Sequence, residues 1–144
     1  MTPSQCFLSV LLAVAVILSC LVCHASKGLG GGRKADVKDE QVQKAVHFAE
    51  TEINKMSNSY YYMMVTKVVK AEQQLVSGMN YFLTLEMTST DCKKNTKFPT
   101  ELDSCKPSDN KNAHATQLCD VTVWVKAWIK NGTSLSDLSC RPPK

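Results

Sequence analysis

Seven cysteines and three histidines hold the nucleophilic, redox and metal-binding potential of this sequence. Cys20 and Cys23 form a C-x-x-C pair, the spacing of dithiol redox sites. Both fall in an N-terminal segment that reads as a removable leader. Met1 to Ala25 has no Asp, Glu, Lys or Arg, and Phe7 to Leu18 is apolar apart from Ser9. That run is shorter than the roughly 20 residues a membrane-crossing helix needs, and small residues follow it up to Ala25. We therefore expect a secretory signal peptide over 1–25 and one secreted, extracellular domain over 26–144, with an uncleaved anchor as the alternative. Cys6, Cys20, Cys23 and His24 leave with the leader.

What remains is poor in chemistry. An even set of four cysteines, Cys92, Cys105, Cys119 and Cys140, in a small secreted domain predicts two disulfides and no reactive thiol. Separations of 13, 14 and 21 residues lack the short pairs of zinc sites. Nucleophilic catalysis needs a nucleophile, a base and an orienting group. Only His47 and His114 remain as bases, and no G-x-S-x-G or H-E-x-x-H string occurs. No glycine-rich loop follows a strand to cradle a phosphate. We expect no catalytic residue, no metal and no cofactor, hence no enzyme. The formal charge is +4, from 17 basic and 13 acidic residues, with the signs interspersed. Lys93, Lys94 and Lys97 lie beside Asp91 without interleaved aromatics, a solvated loop rather than a nucleic-acid patch. No basic amphipathic helix suggests a membrane surface.

The elements that position these residues can be read from periodicity. Ser26 to Arg33 (SKGLGGGR) is a flexible glycine-rich arm. Val42, Ala45, Val46, Ala49, Ile53 and Met56 form one apolar stripe at helical spacing, predicting a helix over about 39–56 with Asp39 and Glu40 complementing its N-terminal dipole. His47 lies beside the stripe as an exposed helix histidine. After the turn Ser57-Asn58-Ser59, a long strand runs from Tyr60 to Leu75. A second returns from Met79 to Met87, with Tyr81, Leu83, Leu85 and Met87 at every second position. Thr88 to Leu118 reads as a polar excursion, which a Cys92–Cys105 bridge would staple with about 3 kcal/mol. Val121, Val123 and Val125 open a second hairpin, and a Cys119–Cys140 bridge would tie its open ends.

The tips of the two hairpins are unusual. Gln74-Leu75-Val76-Ser77-Gly78 has apolar residues where Asn, Asp or Pro is usual in a turn, and Gly78 supplies the backbone freedom. Ala127-Trp128-Ile129 is a second apolar tip. Such surfaces point to a partner. Asn131-Gly132-Thr133, beside it, is an N-glycosylation sequon and so a surface position.

Taken in order, the glycine arm, Val42-Gln43-Lys44-Ala45-Val46-His47-Phe48-Ala49, the Q-x-V-x-G string at Gln74 to Gly78, the four cysteines and Trp128 resemble the type 2 (secreted, two-disulfide) cystatins. The resemblance implies an α+β fold, one long helix packed on an antiparallel five-stranded sheet. It also implies reversible, tight-binding inhibition of papain-like cysteine proteases such as cathepsins by a three-point wedge. Gly30 or Gly31 would be the arm position, Gln74, Leu75, Val76, Ser77 and Gly78 the central loop, and Ala127 with Trp128 the third point. The family usually has Pro-Trp there and one residue fewer before the last cysteine. Replacing Pro with Ala127 costs about 0.4–1 kcal/mol of preorganisation, under tenfold in affinity. Some cystatins also offer an Asn after the helix to legumain, and Asn58 resembles that residue. The alternative is a secreted cystatin-fold binding protein with inhibition weakened or lost. A monomer is expected, with exchange of the helix and first strand between two copies as the alternative assembly.

Overall fold

The computed structural model describes residues 31–94, 104–108 and 116–143. Its elements are β1 (Arg33–Lys34), α1 (Glu40–Met56), β2 (Tyr61–Leu75), β3 (Met79–Lys93), β4 (Gln117–Val125) and β5 (Thr133–Arg141). The strands form one antiparallel sheet in the order β1-β2-β3-β4-β5. This is the α+β arrangement of one helix on five strands that the sequence led us to expect.

The helix starts where its sequence allows. Asp39 is the N-cap, its carboxylate accepting from Gln41 N at 2.8 Å and Val42 N at 3.3 Å, which satisfies two of the amides a helix start leaves open. Val42, Ala45, Val46, Ala49 and Ile53 are buried, so the apolar stripe is the face laid on the sheet. Met56, expected to extend that stripe, is 54% exposed instead, so the buried stripe ends at Ile53. Opposite the helix, Tyr81, Leu83, Leu85 and Met87 of β3 and Val121 and Val123 of β4 complete the core.

Two polar residues sit on the buried helix face, and both bond to β2. Asn54 donates Nδ2–H to Met63 O at 2.7 Å and accepts from Met63 N at 2.8 Å. Glu50 Oε1 accepts from Val65 N at 2.6 Å. β2 needs these partners because its pairing with β3 shifts register between Tyr61 and Met63, Val65 and Lys67, and Val68 and Lys70. Bulges curve a strand and leave ladder groups unpaired, and here the helix side chains take up part of the deficit.

The polar excursion is shorter than its composition suggested. β3 continues through Thr88, Ser89 and Thr90 to Lys93, beside the start of β2. Thr90 is fully buried and donates its hydroxyl to Tyr62 O at 2.9 Å, so these polar residues belong to the sheet because their hydrogen bonds are made inside it. Both disulfides pair as expected. Cys92–Cys105 spans a Cα separation of 5.8 Å, and Cys119–Cys140 joins directly opposed residues of β4 and β5. In β5, Ser136 is an additional residue between Leu135, opposite Val123, and Asp137, opposite Thr122. This bulge lets Leu135 and Leu138, three apart, both pack against the core.

Candidate functional site

The central loop is built by a two-strand clamp. Leu75 pairs with Met79, and Val76 N donates to Gly78 O at 2.9 Å. Ser77 and Gly78 both have positive φ, 37° and 119°. The turn lifts Leu75 and Val76 into solvent at 72% and 40% exposure.

The second loop is closed by its own backbone. Lys126 N donates to Gly132 O at 2.8 Å, and Gly132 N donates to Ile129 O at 2.9 Å. The loop presents Trp128 at 65% and Ile129 at 48% exposure, with Ala127 exposed beside them.

The structure brings the two loops together. Met79 of β3 pairs with Val125 of β4, so both turns leave the same end of the sheet. A methyl group on Gly78 would lie 2.6 Å from Val125 O, 2.9 Å from Trp124 Nε1 and 3.4 Å from Trp128 Cη2. Gly78 therefore serves two purposes: it takes a φ unsuited to side chains, and it leaves room for the second hairpin to close on the first. Trp124, which the sequence presented only as an alternating strand residue, is the link. Its Nε1–H donates to Ser77 O at 3.2 Å, and the Lys126 ammonium lies 4.0 Å from its ring centroid. The signal for it was a Trp on the outward face one residue before the strand ends.

The strand β1 lies at the same end. Arg33 and Lys34 pair with Gln73 and Glu72, so β1 lies beside the end of β2 that leads into Gln74 and Leu75. Gly31 is exposed, and Gly30 lies outside the described residues. Part of the arm that reads as flexible, Arg33, is thus a strand residue.

Asn58 is not part of this cluster. It is exposed and precedes β2 at the end where Tyr61 pairs with Lys93, the far end from Leu75. Its turn is well held. Ser59 N donates to Ser57 Oγ, Ser59 Oγ donates to Tyr61 O, and Lys94 Nζ donates to both Asn54 O and Ser57 O at 2.7 Å. A cation on these last helix carbonyls also complements the dipole. Burial lowers the Lys94 pKa from the usual lysine value. Asn131 is exposed, with φ 58°.

Among the described residues no group of three or more His, Cys, Asp or Glu is placed to hold a metal. No described helix is long and apolar enough to cross a membrane.

A helix on a five-stranded antiparallel sheet, with two apolar hairpin turns and the N-terminal strand at one end, is the architecture of a known family. The chain belongs to the cystatin family, in its two-disulfide type 2 branch. The cystatin domain model matches residues 30–128. Cystatin-1 of Chilobrachys guangxiensis is 38% identical over 130 residues, covering 90% of this chain and 94% of its own. Cystatin-C of Bos taurus is 43% identical over 113 residues, covering 78% and 74%. Among solved structures, dimeric human cystatin F superposes with a TM-score of 0.72 at 25% identity, over 84% of this chain and 94% of that one. Al-CPI superposes at 0.67 with 30% identity, over 79% and 100%. The family's general role, inhibition of cysteine proteases rather than catalysis, is the role of this chain.

Proposed function

We propose that this chain inhibits papain-like cysteine proteases, cathepsins among them, reversibly and by occlusion. The arm at Gly30 and Gly31, the loop Gln74 to Gly78, and Ala127 with Trp128 would form a wedge seated over the catalytic cysteine and histidine. One observation supports this most: Leu75, Val76 and Trp128 are exposed apolar side chains on two turns joined through Trp124 and Gly78. Turns already fixed by their own hydrogen bonds lose little entropy on docking, which favours tight binding. No bond has to be made or broken, so the lack of a nucleophile and base in the sequence is no obstacle. Export through a leader over 1–25 completes this reading and would bring the domain to extracellular proteases.

The test is a titration of the mature protein against papain and cathepsins. Trp128→Ala should raise the inhibition constant by about 30-fold or more, the loss typical of an exposed Trp anchor buried on binding. Absence of inhibition at micromolar concentration would leave the binding-protein alternative.

A second reading concerns Asn58. Its exposure on a turn held by Ser57, Ser59 and Lys94 suits presentation of an Asn side chain to legumain. Asn58→Ala should abolish legumain inhibition and leave papain inhibition unchanged. Loss of both would overturn the separation of the two sites.

A further inference from the structure

We propose that Asn131 carries an N-linked glycan that crowds the outer flank of the Trp128 loop and weakens docking into a protease cleft. Glycosylated and bare forms are then inhibitors of different strength. This inference rests on the wedge reading above.

The sequon is built into the loop that would meet the protease. Asn131 is exposed and sits at φ 58°, a conformation Asn adopts more readily than most residues. Gly132, the middle residue of the sequon, is fixed by packing. An added Cβ would lie 2.4 Å from Lys126 O and 2.8 Å from Ile129 O. Thr133 opens β5 opposite Val125. The segment therefore holds one shape, with the Asn131 side chain on its outside.

Distance and topology decide what a glycan there would do. Asn131 lies three positions after Trp128, so their Cα atoms are at most about 11 Å apart. A branched oligosaccharide is bulky and covers that span. The sheet order places the β4–β5 turn on the flank opposite the β1 arm, with the central loop between them. Carbohydrate on Asn131 thus crowds Trp128 before it reaches the central loop. Docking persists, with the third point of the wedge only partly seated.

The experiment uses the full chain secreted from a glycosylating eukaryotic cell. Mass is measured before and after an amidase that releases N-glycans and leaves Asn131→Asp. Thr133→Val removes the sequon without touching the strained Asn131 backbone, and Thr133→Ser keeps it. The expected result is a glycan mass on the wild-type and Thr133→Ser proteins. Both should inhibit papain about tenfold more weakly than the amidase-treated and Thr133→Val forms. The amidase adds a negative charge and Thr133→Val does not, so equal gains in the two assign the effect to the carbohydrate. No glycan on the secreted chain, or equal inhibition constants with and without it, overturns the proposal. If no form inhibits papain, the wedge reading itself is overturned, and this one with it.

Discussion

Adding one methyl group at Gly78 probes how the two turns are held together. The Cβ of Gly78→Ala would lie 2.6 Å from Val125 O and 2.9 Å from Trp124 Nε1. A carbon atom approaches a carbonyl oxygen no closer than about 3.3 Å without strain, so the hairpins must part by about 0.7 Å. The backbone adds its own penalty, because φ 119° is a region where a side chain costs about 1–3 kcal/mol. We expect Gly78→Ala to lose about 1–3 kcal/mol of stability in chemical denaturation and several degrees of Tm. Parting the turns also breaks the Trp124–Ser77 hydrogen bond and moves the central loop relative to Trp128. The inhibition constant for papain should therefore rise at least tenfold, about 1.4 kcal/mol of binding. Stability alone cannot account for such a loss in a protein that remains folded. Leu85→Val, a core truncation remote from the turns with a cost of about 0.5–1.5 kcal/mol, should leave the inhibition constant unchanged. If Gly78→Ala binds papain as the wild type does, the close approach of the two hairpins has no bearing on inhibition and the reasoning fails.

Other perturbations follow from the same geometry. Trp124→Phe keeps a smaller aromatic ring under Lys126 and removes the N–H donor to Ser77 O. Inhibition should weaken about three- to tenfold with little change in Tm, read by parallel titration and thermal melts. Asn54→Ala leaves Met63 N–H and C=O without their helix partner in a buried setting. Stability should fall by about 2 kcal/mol or more, measured by urea unfolding. Asp120 has its pKa lowered first by the hydrogen bond from Arg141, then by that from Thr84. A carboxylate depressed on folding contributes stability above its unfolded pKa, near 3.8, and loses it as pH falls through the lower folded value. Arg141→Gln should therefore flatten the acid limb of the stability curve below about pH 4, modestly, because the pair is half-exposed and screened by solvent.

The helix and the central hairpin were legible because each rests on a single unbroken pattern. The stripe from Val42 to Ile53 and the alternation from Tyr81 to Met87 report directly which face is buried. Patterns failed where polar side chains replaced backbone partners. Thr88 to Lys93 reads as a loop by composition, yet Thr90 is buried and bonded across to Tyr62. Glu50 and Asn54 lie on the same helix face as Ala49 and Ile53, so their burial was encoded. Their purpose was not, because it depends on bulges in a strand distant in sequence. The three-residue spacing of Leu135 and Leu138 hid a strand until Ser136 proved to be a bulge. Of the site, the exposed tips were visible as apolar residues in turns. The link through Trp124 was not, because a hydrogen bond between two residues 47 positions apart leaves no local trace.

The grip of Asn54 and Glu50 on β2 also bears on how the domain breathes. The amides of Met63 and Val65 belong to a strand, yet they are held by side chains of the helix. Peeling α1 away would strip them of their acceptors even with the β2–β3 ladder intact. In native-state hydrogen exchange, these two amides should therefore report the lifting of the helix and exchange in step with its buried turns, while amides bonded within the ladder stay protected until the sheet itself comes apart.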